Sequence, residues 1–326
     1  AATYRGPGAV PGEEHTMTPL TANGGRSAFR RRPVSALTRR RQRVGLLFVA
    51  PAVLMVLAFF IAPLVLMVWM SLNNWPLLGT PSFVGTRNYT DALHDPTFRH
   101  SLLFTGKYTL LLTPILMIVG FALAVLVQTP RRGVGIFRTI YFMPYIVGFA
   151  AASYLFLQLF NSGTGVIDRM LVDLHLVDHP VQWFASPKVA LAAVLVVVTW
   201  KTAGFCMLLI MSGLQSVPGE VVEAAHMDGS GWWSTMLRVQ LPLIKQTLGL
   251  VLIFSIAGSV LAFDQFYILT NGGPSNQTLT AVYWIYNQGF THFQLGYASA
   301  LSLVLMVIVA AISGIQLRLF RDTNEV

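Results

Sequence analysis

Residues 46–72 read LLFVAPAVLMVLAFFIAPLVLMVWMSL, and no charged residue occurs anywhere between Arg43 and Arg87. An α-helix needs about 20 apolar residues to cross the hydrocarbon core of a bilayer, which is about 30 Å thick. A secretory signal peptide has a shorter apolar core, followed by a cleavage site made of small residues, and this run shows neither feature. The run therefore predicts an uncleaved membrane-spanning helix.

Five further stretches pass the same test and are nearly free of charge: 104–127, 139–160, 189–213, 247–269 and 297–317. A charged residue at the middle of a spanning helix costs about 2.5–3.5 kcal/mol on insertion scales. Only helices and closed barrels satisfy the backbone in lipid, and long apolar runs without alternation indicate helices. We expect an all-α, polytopic membrane protein whose six transmembrane helices occupy residues 44–320.

The composition agrees with a membrane protein. The 326 residues are 54% hydrophobic and 11% charged, with a mean hydropathy of +0.62, whereas a soluble domain carries roughly 25% charged residues. The formal net charge is +9. The basic residues cluster at the ends of apolar segments, which indicates membrane orientation rather than a nucleic-acid partner. Cys206 is the single cysteine, so no disulfide can form within the chain.

The basic residues predict the orientation. Residues 1–43 form an arginine-rich tail that we expect to be disordered and cytoplasmic. With the N-terminus inside, cytoplasmic segments hold sixteen of the 22 basic residues and the outer segments hold five. The positive-inside rule then places both termini, including a short C-terminal segment at 321–326, in the cytoplasm. The high arginine, alanine and valine content indicates a bacterial cell.

The loop at about 214–246 is too polar to span. Residues 216–229 read SVPGEVVEAAHMDG. Pro218 suits the first turn of a helix, Glu220 and Glu223 share one helix face, and Gly229 can adopt the left-handed conformation that ends a helix. A second helical stretch follows at 231–240. The loop therefore predicts two short helices joined by a tight glycine corner.

This loop resembles the "EAA loop" of importer permeases in the spacing of Glu223-Ala224-Ala225, Gly229, Val239 and Leu241-Pro242. Val239 stands where that family more often has isoleucine. The chain is similar to the maltose and glycerol-phosphate permeases over about residues 45–320, and further matching segments occur in the same order: Phe83-Val84-Gly85, Asn88-Tyr89, Pro144, Trp200-Lys201 and Leu269-Thr270-Asn271-Gly272-Gly273-Pro274.

The resemblance implies the type I fold of ATP-driven, binding-protein-dependent importers and a non-catalytic subunit that translocates a sugar, in the first place a di- or oligosaccharide. It implies a second permease, an extracytoplasmic binding protein and a dimer of ATPase subunits that use ATP and Mg²⁺. Because few residues follow the last span, the chain is similar to the first-type permease of such pairs. The implied ATPase-coupling residues are Glu220, Glu223, Ala224, Ala225, Asp228 and Gly229.

Polar groups inside spans are candidates for a substrate path. Positions counted from Glu223, as in the maltose-type permeases, imply that the path is lined by Lys201, Thr202, Phe205, Ser255, Gly258, Ser259 and Asp264. Structural roles fit equally well at this point. Lys201 can snorkel or pair with Asp264, and Ser255 and Ser259 can be helix-packing contacts beside Gly258.

Motifs of catalysis are missing from the sequence. There is no Gly-x-x-x-x-Gly-Lys phosphate loop, no Gly-x-Ser-x-Gly nucleophile elbow, and no helical pair of histidines suited to a metal. We therefore expect no catalytic residue, metal or cofactor on this chain. A secondary carrier or channel is the main alternative, although no inverted repeat or intramembrane carboxylate pair is evident; a membrane-embedded enzyme is the third.

Overall fold

The computed structural model describes residues 36–129 and 132–320. The chain divides into two units at Leu57. In the first unit, helix α1 covers Ala36–Val56. It begins inside the stretch predicted as a tail, whose residues 1–35 lie outside the described part, as do residues 321–326.

The second unit, from Ala58, consists of helices and their connecting loops, with one short hairpin. Its α-helices are α2 (Ala62–Ser71), α3 (Arg87–His94), α4 (Pro96–Val127), α5 (Val134–Ile146), α6 (Phe149–Leu159), α7 (Val166–Asp173), α8 (Pro187–Gln215), α9 (Gly219–Met227), α10 (Trp232–Thr235), α11 (Leu241–Leu243), α12 (Lys245–Val260), α13 (Ala281–Tyr286) and α14 (Leu295–Phe320). Strands β1 (Asn73–Asn74) and β2 (Ser82–Phe83) pair antiparallel. Single π-helical turns occupy Leu57–Ile61, Met236–Gln240, Phe266–Thr270 and Asn287–Thr291.

The described helices account for the predicted spans. Four are long and apolar enough to cross a membrane: Leu47–Ser71, Pro96–Val127, Pro187–Gln215 and Leu295–Phe320. Two bent pairs pass the same test together, Val134–Ile146 with Phe149–Leu159 and Trp232–Leu243 with Lys245–Val260. Counting each pair as one span gives six, which is compatible with the prediction of an all-α protein with six transmembrane helices.

The third predicted span, 139–160, is not one straight helix. Its two halves, α5 and α6, meet at 96°, because Val147 and Gly148 are both extended. Pro144 has no N–H to donate to the carbonyl of Ile140 in the last turn of α5. The carbonyl of Tyr145 has no helical partner because α5 ends at Ile146, and it accepts a hydrogen bond from Lys201 Nζ at 3.0 Å, so a side chain of α8 caps the broken helix.

The fifth predicted span, 247–269, also ends early. Helix α12 stops at Val260, and the chain becomes irregular before the π-helical turn Phe266–Thr270. A side chain that is distant in the sequence satisfies a backbone carbonyl there, since Thr280 Oγ1 donates a hydrogen bond to Ala262 O at 2.9 Å.

Helix α8 lies at the centre of the second unit, with α4, α5 and α12 packed against it. Small residues allow two close approaches, as is common between helices in membranes. A Cβ at Gly120 of α4 would lie 2.7 Å from Cys206 Cβ, and one at Gly204 would lie 2.9 Å from the Cα of Phe142 in α5. Because of these contacts, α8 packs closely against both α4 and α5.

The Asn88-Tyr89 motif has a structural role in this fold. The buried Asn88 donates to the carbonyl oxygens of Ser71 at 2.8 Å and Asn73 at 3.0 Å. The Tyr89 hydroxyl lies 2.6 Å from Ser71 Oγ. The motif therefore satisfies backbone groups at the end of α2, where an apolar helix gives way to the hairpin.

Candidate translocation cavity and coupling loop

A cavity of about 270 Å³ lies among α4, α8, α12 and the bend between α5 and α6. Five of the seven residues predicted for the substrate path line it. Helix α8 contributes Thr202 and Phe205, and α12 contributes Ser255, Gly258 and Ser259. The structure thus brings together residues of α8 and α12 that are fifty or more positions apart in the chain, and their role in transport stays a prediction.

Aromatic rings form one side of this cavity. The ring of Phe205 stacks on Tyr145 with centroids 4.6 Å apart and an angle of 8° between the planes. Phe254 meets Phe205 edge-on at 5.7 Å. Stacked and edge-on pairs hold rings in place, so the cavity has a firm apolar wall.

A few polar groups lie among the apolar side chains that line the other sides. Ser259 Oγ lies 3.0 Å from Thr109 Oγ1, and Gln265 Nε2 donates to the Tyr108 hydroxyl at 3.4 Å. Thr202 Oγ1 donates to the carbonyl of Val198 at 2.6 Å, which leaves lone pairs of the hydroxyl free to accept. The cavity therefore combines aromatic faces with neutral hydrogen-bonding groups.

Two residues predicted for the path, Lys201 and Asp264, are not among those lining the cavity. The ammonium group of Lys201 is buried below the cavity wall, 4.4 Å from the ring centre of Phe149. Among the described residues, neither Lys201 nor Asp264 belongs to an ion pair, so the alternative that they pair is wrong. The Tyr145 carbonyl and two aromatic faces take the place of a carboxylate, which explains how α8 holds the cation.

The polar loop folds as the sequence predicts. Helix α9 ends in a Schellman motif in which Ser230 N–H donates to Ala225 O and Gly229 N–H donates to His226 O, both at 3.0 Å. Gly229 supplies the left-handed corner with φ +79°, as such a motif requires. Helix α10 and the turn Met236–Gln240 follow. The prediction of two short helical stretches joined by a glycine corner is confirmed.

The residues predicted for ATPase coupling lie on this one element. Glu220, Glu223, Ala224, Asp228 and Gly229 are exposed, and Ala225 is half-buried. Large apolar side chains are exposed beside them, with Met227 at 88% and Trp233 at 66%. The loop thus exposes acidic and apolar side chains together, and it connects the end of α8 to the start of α12. The contact with an ATPase stays a prediction.

The match to a known protein family covers both the cavity and the polar loop. Residues 34–324 match the family described as binding-protein-dependent transport system inner membrane component. The chain belongs to this family. It is therefore a multi-pass membrane permease of a transport system that works with a binding protein.

Relatives of the permease are similar over most of their length. It is 30% identical over 292 residues to the lactose transport system permease protein of Rhizobium radiobacter, covering 88% of this chain and 97% of that one. It is 33% identical over 276 residues to the arabinooligosaccharides transport system permease protein of Bacillus subtilis, covering 84% and 87%. A bacterial transporter that imports the acidic polysaccharide alginate shares the fold, with a TM-score of 0.77 at 18% identity over 89% of this chain and 100% of that chain.

Several lining residues of the permease cavity were not predicted from the sequence, among them Tyr108, Tyr145, Phe149 and Phe254. All lie in apolar stretches where an aromatic residue carries no distinctive signal. Gln265 also lines the cavity, and it does carry a signal in the sequence, because an amide beside Asp264 near the end of a predicted span is a polar group in an apolar setting. In the described ranges, no cluster of three or more His, Cys, Asp or Glu is placed to hold a metal ion.

Proposed function

We propose that this permease carries a sugar, in the first place a di- or oligosaccharide, through the cavity lined by Thr202, Phe205, Ser255, Gly258 and Ser259. The observation that carries the proposal is that cavity itself. Stacked rings beside neutral hydroxyl and amide groups suit a saccharide, whose apolar C–H faces pack on aromatic rings and whose hydroxyls need hydrogen-bonding partners. The lactose and arabinooligosaccharide permeases among its relatives support the same substrate class.

The proposed mechanism is alternating access in a larger assembly. A binding protein delivers the sugar from outside to a site shared between this chain and a second permease. A dimer of ATPase subunits, which bind ATP and Mg²⁺, docks against α9 through Glu220, Glu223 and neighbouring residues. The permease itself contributes no catalytic residue to ATP hydrolysis.

Connectivity supports this coupling. Helix α8 leads into the loop and α12 leads out of it, and both helices line the cavity. A displacement of α9 therefore acts on α8 through residues 216–218, and on α12 through α10, the turn Met236–Gln240 and α11. Energy from ATP can shift the cavity only if it favours one of two conformations of these helices, and the loop is placed to provide that bias.

The proposed orientation has both termini in the cytoplasm, as the excess of basic residues in those segments favours. The end of α9 then faces the ATPases, and the segment between α12 and α14 faces the binding protein. Labelling of cysteines introduced singly at Gly229 and Asn276, in a chain that also carries Cys206→Ser, with a membrane-impermeant maleimide tests this topology. We expect only the residue-276 variant to react in intact cells.

The path is tested by filling the cavity. Gly258 lines it, and apart from its two chain neighbours and the backbone of its own helix, no atom of the described chain lies within 4 Å of a Cβ built there. We expect Gly258→Phe to abolish sugar uptake without unfolding the protein. Gly106→Phe is the matched control, because residue 106 is equally unobstructed but lines a separate apolar groove. Equal uptake by both variants would show that the sugar does not pass this cavity.

Coupling is tested separately in proteoliposomes that contain the whole importer. Glu223→Ala should keep the chain folded in the membrane while sugar uptake falls to background and ATP hydrolysis no longer responds to the loaded binding protein. Normal uptake by this variant would remove α9 from the mechanism. Uptake by the purified chain without ATP would instead support a secondary carrier.

A further inference from the structure

A second cavity, of about 500 Å³, lies between the N-terminal halves of α4 and α8. Three basic side chains line it, His100 and Lys107 from α4 and Lys188 from α8, and no acidic side chain of the described chain does. All three are exposed, and neither lysine belongs to an ion pair within the described ranges. We call this cavity the basic groove. Its charge is thus left uncompensated by the permease itself.

The depth of the basic groove matches the edge of the hydrocarbon core. Helix α4 ends at Val127, and Lys107 lies about 20 residues before it, or about 30 Å at 1.5 Å per residue. That length equals the thickness of the hydrocarbon core. With Val127 at one edge of the core, Lys107 therefore lies at the other, at the level of the lipid headgroups. Lys188, in the first turn of α8, lies at the end of its span as well.

Leucine side chains extend from these cations toward the middle of the membrane. Leu111 is one turn deeper than Lys107 on the same face of α4, and Leu195 is two turns deeper than Lys188 on α8. Leu111 is 39% exposed and Leu195 is half-buried, so the described chain leaves this wall partly uncovered. Cations at the headgroup level above an apolar wall match the two parts of a phospholipid, a charged phosphate and acyl chains.

The proposed orientation makes the cluster unusual. The outer segments carry five basic residues, Arg87, Arg99, Lys107, Arg169 and Lys188. Two of these five, about 80 positions apart in the chain, meet in one groove. Such segments are normally poor in lysine and arginine, and the convergence here places positive charge where an anionic headgroup can reach it.

We propose that the basic groove binds an anionic phospholipid of the phosphatidylglycerol type in the outer leaflet. Lys107 and Lys188 hold the phosphate, His100 donates a further hydrogen bond, and an acyl chain lies along Leu111 and Leu195. Charge complementarity favours this occupant over a second protein, since three basic groups converge without an acidic partner. A bound lipid here joins α4 to α8, two walls of the translocation cavity.

The test uses the whole importer, purified through a tag on this chain, stripped of lipid and titrated with phosphatidylglycerol or phosphatidylcholine under native mass spectrometry. Each lysine near an anionic headgroup contributes about fivefold to affinity. We expect Lys107→Gln with Lys188→Gln to weaken phosphatidylglycerol binding about 25-fold, and either change alone about fivefold. The single variants keep the test informative if the double variant does not assemble.

Matched controls keep the chemistry specific. Arg99→Gln removes a neighbouring charge that does not line the groove, and Lys→Arg at both positions keeps the charge; both should bind phosphatidylglycerol as the wild type does. Phosphatidylcholine binding should not change in any variant. Equal loss in Arg99→Gln, or no loss in the double variant, would overturn the proposal.

Two further outcomes would also overturn it. Displacement of the lipid by millimolar inorganic phosphate would mean that the groove takes free phosphate rather than phospholipid. Photocrosslinking from residue 103 to the second permease, with no lipid adduct, would mean that a protein covers the groove in the assembled importer. Lipid adducts from residue 103 are the result we expect.

Discussion

Replacing Gly204 by alanine should separate α8 from α5 and disturb the cavity. A methyl group at this position would overlap the carbonyl oxygen of Tyr141, and it would lie 2.7 Å from the carbonyl carbon of Tyr141 and 2.9 Å from Phe142 Cα. Ordinary contact begins at 3.4 Å. Because the opposing atoms belong to the main chain, the helices must move apart by more than about half an ångström.

The magnitude follows from two opposing effects. Overpacking a core by one methyl group costs about 1–3 kcal/mol, and the upper end applies here because no side chain can rotate away. Alanine in place of glycine favours the helix by about 1 kcal/mol. The net destabilisation is therefore about 2 kcal/mol, or roughly 30-fold in the equilibrium between folded and unfolded protein.

The assay is the resistance of the purified permease to unfolding in a titration with sodium dodecyl sulphate, followed by sugar uptake. Gly106→Ala is the control, because its methyl group meets no atom of the described chain within 4 Å, and it should be neutral or slightly stabilising. Separation of the helices also pulls the Tyr145 carbonyl from Lys201, so uptake should fall. If Gly204→Ala matches Gly106→Ala in both measurements, the close approach of α5 and α8 is refuted.

Three further predictions concern loops and caps. The buried Asp168 carboxylate accepts hydrogen bonds from Gly163 N–H at 2.6 Å, Val181 N–H at 2.8 Å and Trp183 Nε1–H at 3.2 Å, and these bonds, that from Gly163 first, lower its pKa. The stability that this carboxylate contributes is present above about pH 3.9, the pKa of an unfolded aspartate, and is lost as the pH falls through the lowered pKa of the folded protein. Asp168→Asn should therefore lower the unfolding temperature at pH 7, and the difference in unfolding temperature from the wild type should become smaller at acidic pH. A difference that stays constant with pH would contradict the assigned charge. Asp95 caps α4 and accepts hydrogen bonds from Trp284 Nε1 at 2.9 Å and the Tyr297 hydroxyl at 2.8 Å. Asp95→Asn should therefore lower the free energy of unfolding by about 1–3 kcal/mol, measured by the same detergent titration. An unchanged midpoint of unfolding would mean that this cap is dispensable. Gly229→Ala places a side chain at φ +79° at a cost of about 1–2 kcal/mol, so amide exchange should speed up over 219–229 and not in α4, and unchanged exchange would contradict the left-handed corner.

Much of this architecture is predictable because the thickness of the bilayer sets the length of each apolar segment in the sequence. Apolar length predicts six spans, and the four long helices and two bent pairs are compatible with that number. Glycine at residue 229 marks the corner of the polar loop. Local pattern does not show the breaks at residues 147–148 and 261–265. Those breaks depend on side chains that are distant in the chain, Lys201 for the Tyr145 carbonyl and Thr280 for the Ala262 carbonyl.

The residues of the cavity also include some that are predictable from the sequence and some that are not. The count from Glu223 predicts Thr202, Phe205 and Ser255 for the path, and all three line the cavity, while their role in transport stays a prediction. The count also includes Lys201, which does not line the cavity, since neighbouring residues on a helix point about 100° apart and the cation turns toward the α5 carbonyl. It also misses Tyr145, which reaches the cavity only because the third span bends.

The central claim is that this permease works as one part of an ATP-driven importer rather than alone. The most direct measurement is purification of the tagged chain from its own membranes in mild detergent, with mass spectrometry of the partners and sugar uptake after reconstitution. We predict that an ATPase and a second permease are recovered with it, and that uptake requires ATP and a binding protein. Recovery of the chain alone, with sugar uptake that needs no ATP, would contradict the account.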